Sequence, residues 1–397
     1  MRIGMMVDRY KPYMSGVTNY VALNKRVLEE AGHEVFVFTF GDLDYPLDEI
    51  NIFRSPNLPL LDKIYTFNLR YNRKAQRLLQ TMDIVHVMHP FISGPLAIEY
   101  CRPKHIPIVF TNHTRYDIYM GAYVPILSFL GGWLMRGYLP IFCRYVDRVI
   151  SPSPGMRDLL VKFGVDVPIE VIPNGIDLQP FYAHAEPFER SSFGFSNEDV
   201  LLVYVGRLAP EKNLTFLLTA FGAVAQTAPK CSLLLIGDGL EKVQLQSFVK
   251  INGLSDRVHF TGLVPYDMMP RYLAMADAFV TASVSEVHPF TVIEAMAAGL
   301  PILGIQSPGV GDSVQDCESG YICASEDLLE FQTKMVRLIS DGEQRRKMGE
   351  SARKNSAQYA IEHTTQMIID CYQSLIDESA ERWAPKTSRR TKLSRQL

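Results

Sequence analysis

Short apolar runs alternate with segments of helical periodicity along the first half of the chain. The mainly apolar runs lie at residues 3–7, 34–39, 84–88, 106–111, 148–151 and 169–173. Helical segments lie at about residues 17–31, 125–145 and 154–163. Consecutive apolar residues are typical of strands buried on both faces, and strands that alternate with helices predict a parallel sheet.

The same alternation resumes after a break. Strand-like runs lie at residues 200–206, 232–236, 258–261, 278–281 and 301–304, with helices between them and three more helices over about 326–378. Between residues 177 and 199 the pattern lapses around Pro180 and Pro187, which favours a linker. The chain therefore predicts two α/β domains, 1–176 and 200–359, with a ligand cleft between them.

Composition fits a folded protein, because 47% of the 397 residues are hydrophobic and 21% are charged. The formal net charge is −3, so no overall positive field attracts polyanions and we expect no nucleic-acid partner. Six scattered cysteines form no CxxC pair, and no Cys/His cluster has zinc spacing. They are typical of buried thiols in a reducing compartment. Asp8 comes too early for a signal-peptide apolar region, so we expect a cytoplasmic protein.

Two basic residues follow the first strand of the second domain. The segment Gly-Arg-Leu-Ala-Pro-Glu-Lys-Asn at residues 206–213 places Arg207 and Lys212 around the start of the next helix. We predict Lys212 in the first turn of that helix, where the helix dipole disfavours a cation. Because helix N-termini suit anions, a bound phosphate would reconcile this placement.

Two glutamates lie around a second helix start. Glu286 and Glu294 are separated by seven residues, and the apolar pattern predicts a helix that starts near Phe290. Glu286 should then lie in the loop before the helix and point into the cleft. The amides of Phe290 and Thr291 would face an anion, and Glu294, one turn further, could accept both hydroxyls of a ribose.

These residues resemble those of the retaining glycosyltransferases of family 4. The resemblance rests on the segment 206–213, on the two glutamates followed by Ala-Met-Ala-Ala-Gly-Leu-Pro, on Ile-Pro-Asn-Gly-Ile-Asp at 172–177 and on Leu-Ile-Gly-Asp-Gly at 235–239. It extends from Arg2 to about Tyr372. It implies an α/β protein of the GT-B fold, in which two Rossmann-like domains with parallel sheets face each other across a cleft that holds a nucleotide sugar.

The resemblance also implies roles in the second domain. Arg207 and Lys212 would neutralise the donor diphosphate, Glu294 would hold the ribose, and Glu286 would hold the donor sugar. Fixed cations and helix amides can replace a metal at a leaving diphosphate, so we expect no metal and no cofactor. The anomeric configuration should be retained, by attack of the acceptor on the face from which the diphosphate leaves.

Two residues of the first domain match the family as well. Gly16 opens the first predicted helix at the family's Gly-Gly-Val position, with Ser15 in place of the first glycine. A bare backbone there lets phosphate or sugar approach closely. His113 ends a strand and matches the family's active-site histidine. His86 and His89 border another strand end, and we interpret them as structural or as lining the acceptor site.

Two segments depart from a simple match. Many family members carry Gly-Phe-Gly after the first glutamate, whereas this chain has Val287, His288 and Pro289. The identity of the donor sugar is therefore left open. Pro289 removes an amide and His288 adds an imidazole. Asp42-Leu-Asp44 spells the DxD motif of metal-dependent glycosyltransferases of another fold, but we interpret it as a turn.

The acceptor is predicted from a basic stripe and an aromatic segment in the first domain. Arg70, Arg73, Lys74 and Arg77 would form one cationic face on a helix, beside Tyr65, Phe67 and Tyr71. Residues 118–135 carry no charge and several aromatic rings. Together they favour docking on an anionic membrane, although a solvated helix face with a core or dimer helix is an equal alternative.

The stretch from His113 with Tyr123-Val-Pro resembles the diacylglycerol glucosyltransferase branch. We therefore expect glucose transfer from UDP-glucose to a membrane lipid such as diacylglycerol, by a cytoplasmic protein peripheral on the inner face of the membrane. We expect the helix at about 360–378 to pack back on the first domain. Residues 380–397 should form a flexible tail, since six basic residues and no acidic one follow residue 381.

Three alternatives remain open at this point. The same chemistry could act on a soluble sugar or small-molecule acceptor. An NAD(P)-dependent oxidoreductase also has Rossmann-like sheets, but the first strand leads to no Gly-rich fingerprint. A non-catalytic nucleotide-sugar-binding partner is disfavoured because both cations and both glutamates are present.

Overall fold

The computed structural model describes residues 1–13, 15–41, 49–56, 58–59, 66–67, 70–118, 128–183, 185–228 and 230–384. The predicted turn at residues 42–44, the membrane-docking aromatics 119–127 and nearly all of the basic tail lie outside the described residues. For residues 58–59, 66–67 and 128–135 only the backbone is described.

The first domain is built on a parallel sheet. Its strands are β1 Arg2–Arg9, β2 Glu34–Phe40, β3 Ile52–Ser55, β6 Ile84–Val87, β7 Ile108–Thr111, β8 Arg148–Ser151 and β9 Ile169–Val171, with a short antiparallel pair, β4 Leu58–Pro59 and β5 Thr66–Phe67. Its helices are α1 Gly16–Glu30, α2 Arg73–Leu79, α3 Ser93–Cys101, α4 Ser128–Cys143 and α5 Pro154–Lys162. The strand order β3-β2-β1-β6-β7-β8-β9 reverses direction beside β1.

The second domain repeats this plan. Its strands are β10 Val200–Val205, β11 Cys231–Ile236, β12 Val258–Gly262, β13 Ala278–Val280, β14 Ile302–Ile305 and β15 Gly320–Cys323. Its helices are α6 Gln179–Tyr182, α7 Leu214–Thr227, α8 Lys242–Ile251, α9 Met269–Ala274, α10 Phe290–Ala297, α11 Val310–Ser313, α12 Leu328–Ser340 and α13 Gly342–Ser356. The order β12-β11-β10-β13-β14-β15 reverses beside β10. In open α/β sheets ligands bind at such a reversal, beyond the carboxyl ends of the strands.

Apolar side chains on both faces of each sheet explain why the strands read as uninterrupted apolar runs. In β11 every residue is buried, and β10 is buried from its second residue onward. The segment predicted as a linker contributes to the second of these cores, because Phe181 and Phe195 pack with Val203 and Phe279. This segment is therefore anchored on the second domain.

The last helix, α14 Ile361–Trp383, returns to the first domain. Its residues Ile368 and Tyr372 pack with Tyr20 and strand β1 in one apolar cluster. The Tyr372 hydroxyl also lies 2.5 Å from Nδ1 of His86, and Thr365 donates to Asn24 at 3.0 Å. The chain thus passes between the domains twice.

The two passages lie side by side. Ile176 and Ala360 form a parallel bridge, with a hydrogen bond from the Ile361 amide to the Ile176 carbonyl at 2.9 Å. Gly175 permits this approach, because a Cβ there would lie 2.0 Å from Oγ1 of Thr364. Gly175 therefore has a steric role where the two passages meet.

Direct contacts also join the domains beside the cleft. The Gly155 amide, at the start of α5, donates to Oδ2 of Asp312 in the second domain at 2.6 Å. The Ser153 hydroxyl donates to the Pro308 carbonyl at 2.9 Å. A carboxylate at a helix N-terminus is favoured by the helix dipole, so this contact stabilises the observed arrangement of the domains.

The predicted basic stripe on helix α2 is wrong for Arg70, which does not belong to the helix. Helix α2 begins at Arg73 with Asn72 as its N-cap, so Arg70 precedes the helix. Tyr71 is buried and stacks on Phe40 at 4.7 Å between ring centroids, so it is not a surface aromatic. Arg73, Lys74 and Arg77 remain exposed on α2.

The uncharged segment forms helix α4 from residue 128 onward. At its C-terminal end Leu139, Phe142 and Cys143 are buried in the first domain. Among the described residues, no helix combines the length and apolar character needed to cross a bilayer.

Candidate active site

One cleft between the domains contains every predicted site residue. It has a volume of about 890 Å³ and lies beyond the carboxyl ends of both sheets. The predicted residues that line it are Gly16, His113, Arg207, Lys212, Glu286, Phe290, Thr291 and Glu294. Its size is within the range of pockets that enclose small-molecule ligands.

The loop after β10 carries both predicted cations. Arg207 donates from Nη2 to Oε1 of Glu211 at 2.7 Å, and the Glu211 side chain is 0% exposed. A 3₁₀ turn covers Pro210–Lys212, and Asn213 then adopts a left-handed conformation with φ 54°. The prediction for Lys212 was wrong, because α7 starts only at Leu214. The turn of backbone at Asn213 separates Lys212 from the helix and so from its dipole.

Lys212 reaches across to the other predicted motif. Its Nζ lies 2.5 Å from Oε1 of Glu286, and both side chains are more than four-fifths buried. Glu286 lies in the loop between β13 and α10, as predicted. Hydroxyls of Ser283 and Ser285 in the same loop donate to the Glu211 carbonyl at 3.3 and 3.1 Å. The two loops therefore hold each other and fix the positions of both cations.

Helix α10 starts at Phe290, as the apolar pattern predicts. Pro289 is its N-cap, and no side chain among the described residues caps this helix start. The first-turn amides, which include those of Phe290 and Thr291, are consequently left for a ligand. A Cβ on Gly16, the first residue of α1, would lie 3.6 Å from the Phe290 ring. The starts of two helices, one from each domain, therefore meet in the cleft.

Glu294 lies one turn inside α10 and is buried. The hydroxyl of Tyr266 donates to its Oε1 at 2.8 Å. Burial raises the pKa of the Glu294 carboxyl to about 7, and the hydrogen bond from Tyr266 opposes that rise. Tyr266 was missed from the sequence, because the contact joins residues of separate elements and no local pattern marks it.

His113 follows β7 in the first domain and is half-buried at the cleft wall. Desolvation, with further contributions from His86 and His89, holds the pKa of the His113 imidazole well below its usual range. Its ring packs edge-on against Tyr20 at 4.5 Å. Nε2 has no hydrogen-bond partner among the described residues. A neutral imidazole with an unused nitrogen at the cleft wall can bind a hydroxyl of a substrate.

The other two histidines have different surroundings. His86 is fully buried between the hydroxyls of Tyr372 and Thr111, at 2.5 and 2.6 Å, and burial lowers its pKa to about 3. It is structural. His89 lines the cleft, and its Nδ1 lies 3.3 Å from the Asp8 amide nitrogen.

A polar wall of the first domain was not predicted. Asp8, the last residue but one of β1, lines the cleft and accepts hydrogen bonds from the amide and hydroxyl of Ser93. Arg115 forms a two-point ion pair with Asp117 at 2.9 Å, and Arg115 also lines the cleft. Asp8 could have been found from its place directly after the apolar run at residues 3–7.

The segment that departs from the family pattern packs beside the two passages between the domains. His288 is buried against the ring of Tyr359, with centroids 5.0 Å apart, and burial lowers its pKa to about 3. Its carbonyl accepts from Nδ2 of Asn174 at 3.2 Å. The imidazole is therefore neutral, and the segment links the cleft to the interdomain bridge.

Among the described residues, no three or more His, Cys, Asp or Glu side chains are grouped so that they could hold a metal ion. Arg207 and Lys212 bring positive charge to the second-domain side of the cleft, and Arg9 and Arg115 line its first-domain side.

Two parallel-sheet domains that face across such a cleft define the GT-B class of glycosyltransferases. The structure superposes on a sucrose-phosphate synthase from Thermosynechococcus elongatus with a TM-score of 0.80 at 20% identity, over 95% of this chain and 99% of that one. It also superposes on the Anabaena protein HepE, solved with UDP-glucose, with a TM-score of 0.74 at 18% identity, over 94% and 100% of the chains. The predicted fold is confirmed.

The chain belongs to glycosyltransferase family 4. Residues 14–180 match the family model "Glycosyltransferase Family 4", and residues 185–355 match "Glycosyl transferases group 1". An alpha-monoglucosyldiacylglycerol synthase from Streptococcus pneumoniae is 33% identical over 82% of this chain and 76% of its own length. One from Acholeplasma laidlawii is 28% identical over 96% and 98%. The predicted family is confirmed, and the oxidoreductase alternative finds no support among these relatives.

The raised pKa of Glu294 predicts how stability depends on pH. The folded protein favours the protonated Glu294 carboxyl. The contribution of this group to the free energy of unfolding is therefore complete below pH 4.5 and is lost as pH rises through about 7. Glu294→Gln cannot ionise, so its free energy of unfolding relative to the wild type should rise by roughly 2–3 kcal/mol between pH 5 and pH 8. Urea unfolding at several pH values measures this.

The matched control is Glu189→Gln, which removes an exposed carboxylate. Its difference from the wild type should stay constant over the same pH range. A Glu294→Gln difference that is equally constant would show that this carboxyl does not titrate near neutrality.

Proposed function

We propose that the chain is a retaining glycosyltransferase that moves glucose from UDP-glucose to the hydroxyl of a membrane lipid such as diacylglycerol. The observation that carries the proposal is the meeting of Arg207, Lys212, Glu286 and Glu294 in one cleft opposite His113. This set contains positive charge for a diphosphate, carboxylates for sugar hydroxyls, and a neutral imidazole on the acceptor side.

The donor would lie along the second domain. Its diphosphate would bind between Arg207, Lys212 and the start of α10, where cations and amides act together. Glu294, one turn inside the helix, would accept the ribose hydroxyls, and Glu286 would accept hydroxyls of the transferred sugar. The Anabaena relative of the fold, solved with UDP-glucose, supports a UDP-linked donor.

The acceptor would enter from the first domain. The two relatives named as alpha-monoglucosyldiacylglycerol synthases support a diacylglycerol acceptor. The exposed basic residues Arg73, Lys74 and Arg77 would contact anionic headgroups, each adding about 1 kcal/mol near such a surface. The protein would therefore work on the cytoplasmic face of the membrane as a peripheral enzyme.

The reaction would proceed on one face of the sugar. The bond from the anomeric carbon to the diphosphate oxygen breaks as the acceptor oxygen bonds to the same carbon from the same side. The acceptor proton passes to the leaving phosphate oxygen, and UDP departs. Arg207 and Lys212 stabilise the charge that grows on the diphosphate, while His113 holds a hydroxyl of donor or acceptor in place.

The proposal is tested by incubating the protein with UDP-glucose and diacylglycerol in vesicles. We expect an α-linked glucosyl lipid, with activity and sedimentation greater on anionic than on neutral vesicles at low salt, because salt screens the headgroup contacts. A β-linked product would contradict retention. Transfer only to soluble sugars, with no binding to anionic vesicles, would replace the lipid acceptor with a soluble one.

Removal of either cation should impair turnover while the fold survives. Lys212→Ala and Arg207→Ala should each lower kcat at least one hundred-fold, because each cation meets charge that develops mainly in the transition state, worth roughly 3 kcal/mol. Lys230→Ala, which removes an exposed cation paired with Glu198 in the same domain, is the control and should keep full activity. Near-normal kcat in both cleft variants would refute the diphosphate assignment.

Activity should persist without divalent metal. Two cations and a helix start supply positive charge at the diphosphate, so the rate in EDTA should equal the rate with added magnesium or manganese. A complete loss in EDTA that either metal restores would be incompatible with this charge balance.

A further inference from the structure

A second, smaller cavity lies on the outer face of the first domain, between α3 and α4. It has a volume of about 240 Å³ and is lined by Pro95, Ile98, Tyr138, Ile141, Phe142 and Tyr145, here called the apolar groove. Its floor is closed because Gly94 lets the Phe142 ring approach: a Cβ on Gly94 would lie 2.5 Å from that ring. Ile141 is 56% exposed and Tyr145 is 50% exposed, so the groove opens to the surface.

A row of aromatic rings connects the apolar groove to the reaction cleft. Tyr116 lines the cleft, and its ring packs edge-on against Phe91 with centroids 5.0 Å apart. Phe91 stacks on Tyr138 at 5.7 Å, and Tyr138 stacks on Phe142 at 6.3 Å. Phe91 itself is 40% exposed. An apolar path therefore leads along the surface from the site of chemistry to the groove.

The chemistry of this path selects its ligand. Among the residues whose side chains the structure describes, none that lines the groove carries a charge, and their only side-chain polar groups are the hydroxyls of Tyr138 and Tyr145. The Tyr138 hydroxyl donates to the Pro90 carbonyl at 2.7 Å, which fixes the ring and engages its polar end. Contact between such an apolar surface and a hydrocarbon chain is favourable, because both are removed from water. A sugar or a phosphate would find few hydrogen-bond partners there.

We propose that the aromatic row and the apolar groove bind one acyl chain of the lipid acceptor while its hydroxyl lies in the cleft. This inference rests on the proposed lipid glucosyl transfer and adds a site to it. Continuity with the cleft favours an acyl chain over other occupants of an apolar surface, because the chain is covalently joined to the group that must reach the sugar. The groove would then discriminate among acceptors by chain length.

The test compares diacylglycerols with two hexanoyl or two octanoyl chains in the same detergent, with UDP-glucose as donor. For the wild type kcat/KM should rise by up to about fourfold for each methylene that enters the groove. Ile141→Gln places a polar group in the groove at a half-exposed position, so the fold should tolerate it. The octanoyl-to-hexanoyl ratio should fall toward one, with the hexanoyl rate retained.

The matched control is Val161→Gln on α5 of the same domain, where the side chain is 57% exposed and lies outside the groove. Its ratio should equal that of the wild type. Phe91→Ala interrupts the aromatic row at a second exposed position and should lower the ratio as Ile141→Gln does.

Each other outcome overturns the inference in a distinguishable way. A ratio that is unchanged in both Ile141→Gln and Phe91→Ala refutes the acyl-chain site. An unchanged ratio with weaker vesicle sedimentation shows that this face touches the bilayer instead, and an unchanged ratio with an altered oligomeric state shows an interface between copies. If the wild type hydrolyses UDP-glucose but glucosylates no diacylglycerol, the proposed acceptor fails and the groove inference fails with it.

Discussion

The fixed positive charge of the cleft must be balanced before a donor binds. A cation that is partly removed from water is costly unless a partner and hydrogen bonds compensate it. The chain meets this constraint with Glu211 for Arg207 and Glu286 for Lys212. Arg207 and Glu211 lie in the same loop after β10, whereas Lys212 and Glu286 connect that loop with the loop after β13. The second pair therefore requires the parallel sheet that brings the carboxyl ends of β10 and β13 together. A diphosphate would enter a site whose cations are already in position.

Local patterns predicted the elements well, because a strand or helix start is determined by neighbouring residues. Apolar runs located the strands of both sheets except β3 and β15, which lie at the edges of their sheets and were missed. The spacing after Pro289 located the start of α10 and put Glu294 on its second turn. Lys212 shows the limit of this reasoning. The segment before α7 has no pattern that distinguishes a 3₁₀ turn from the first turn of the helix, and a left-handed Asn213 ends the turn one residue after the lysine.

Contacts between distant residues could not be predicted in the same way. Tyr266 and Glu294 belong to separate elements, and only the folded sheet brings the hydroxyl to the carboxylate. The burial of Glu211 could not be predicted either. Its sequence context is that of an ordinary surface charge, but its side chain is completely buried. The opposite error concerns Tyr71. It was predicted to be a surface aromatic, but its ring packs on Phe40 inside the first domain.

The return of the last helix to the first domain has a consequence for biosynthesis. Tyr20, Ile84 and Val109 belong to a cluster whose outer layer is Ile368, Tyr372 and Leu375, which leave the ribosome nearly two hundred residues after the first domain is otherwise complete. Domains ordinarily fold as units during synthesis, from the N-terminus onward. Here an apolar face of the first domain stays uncovered until helix α14 has been synthesised, so the second domain folds while the first is still incomplete.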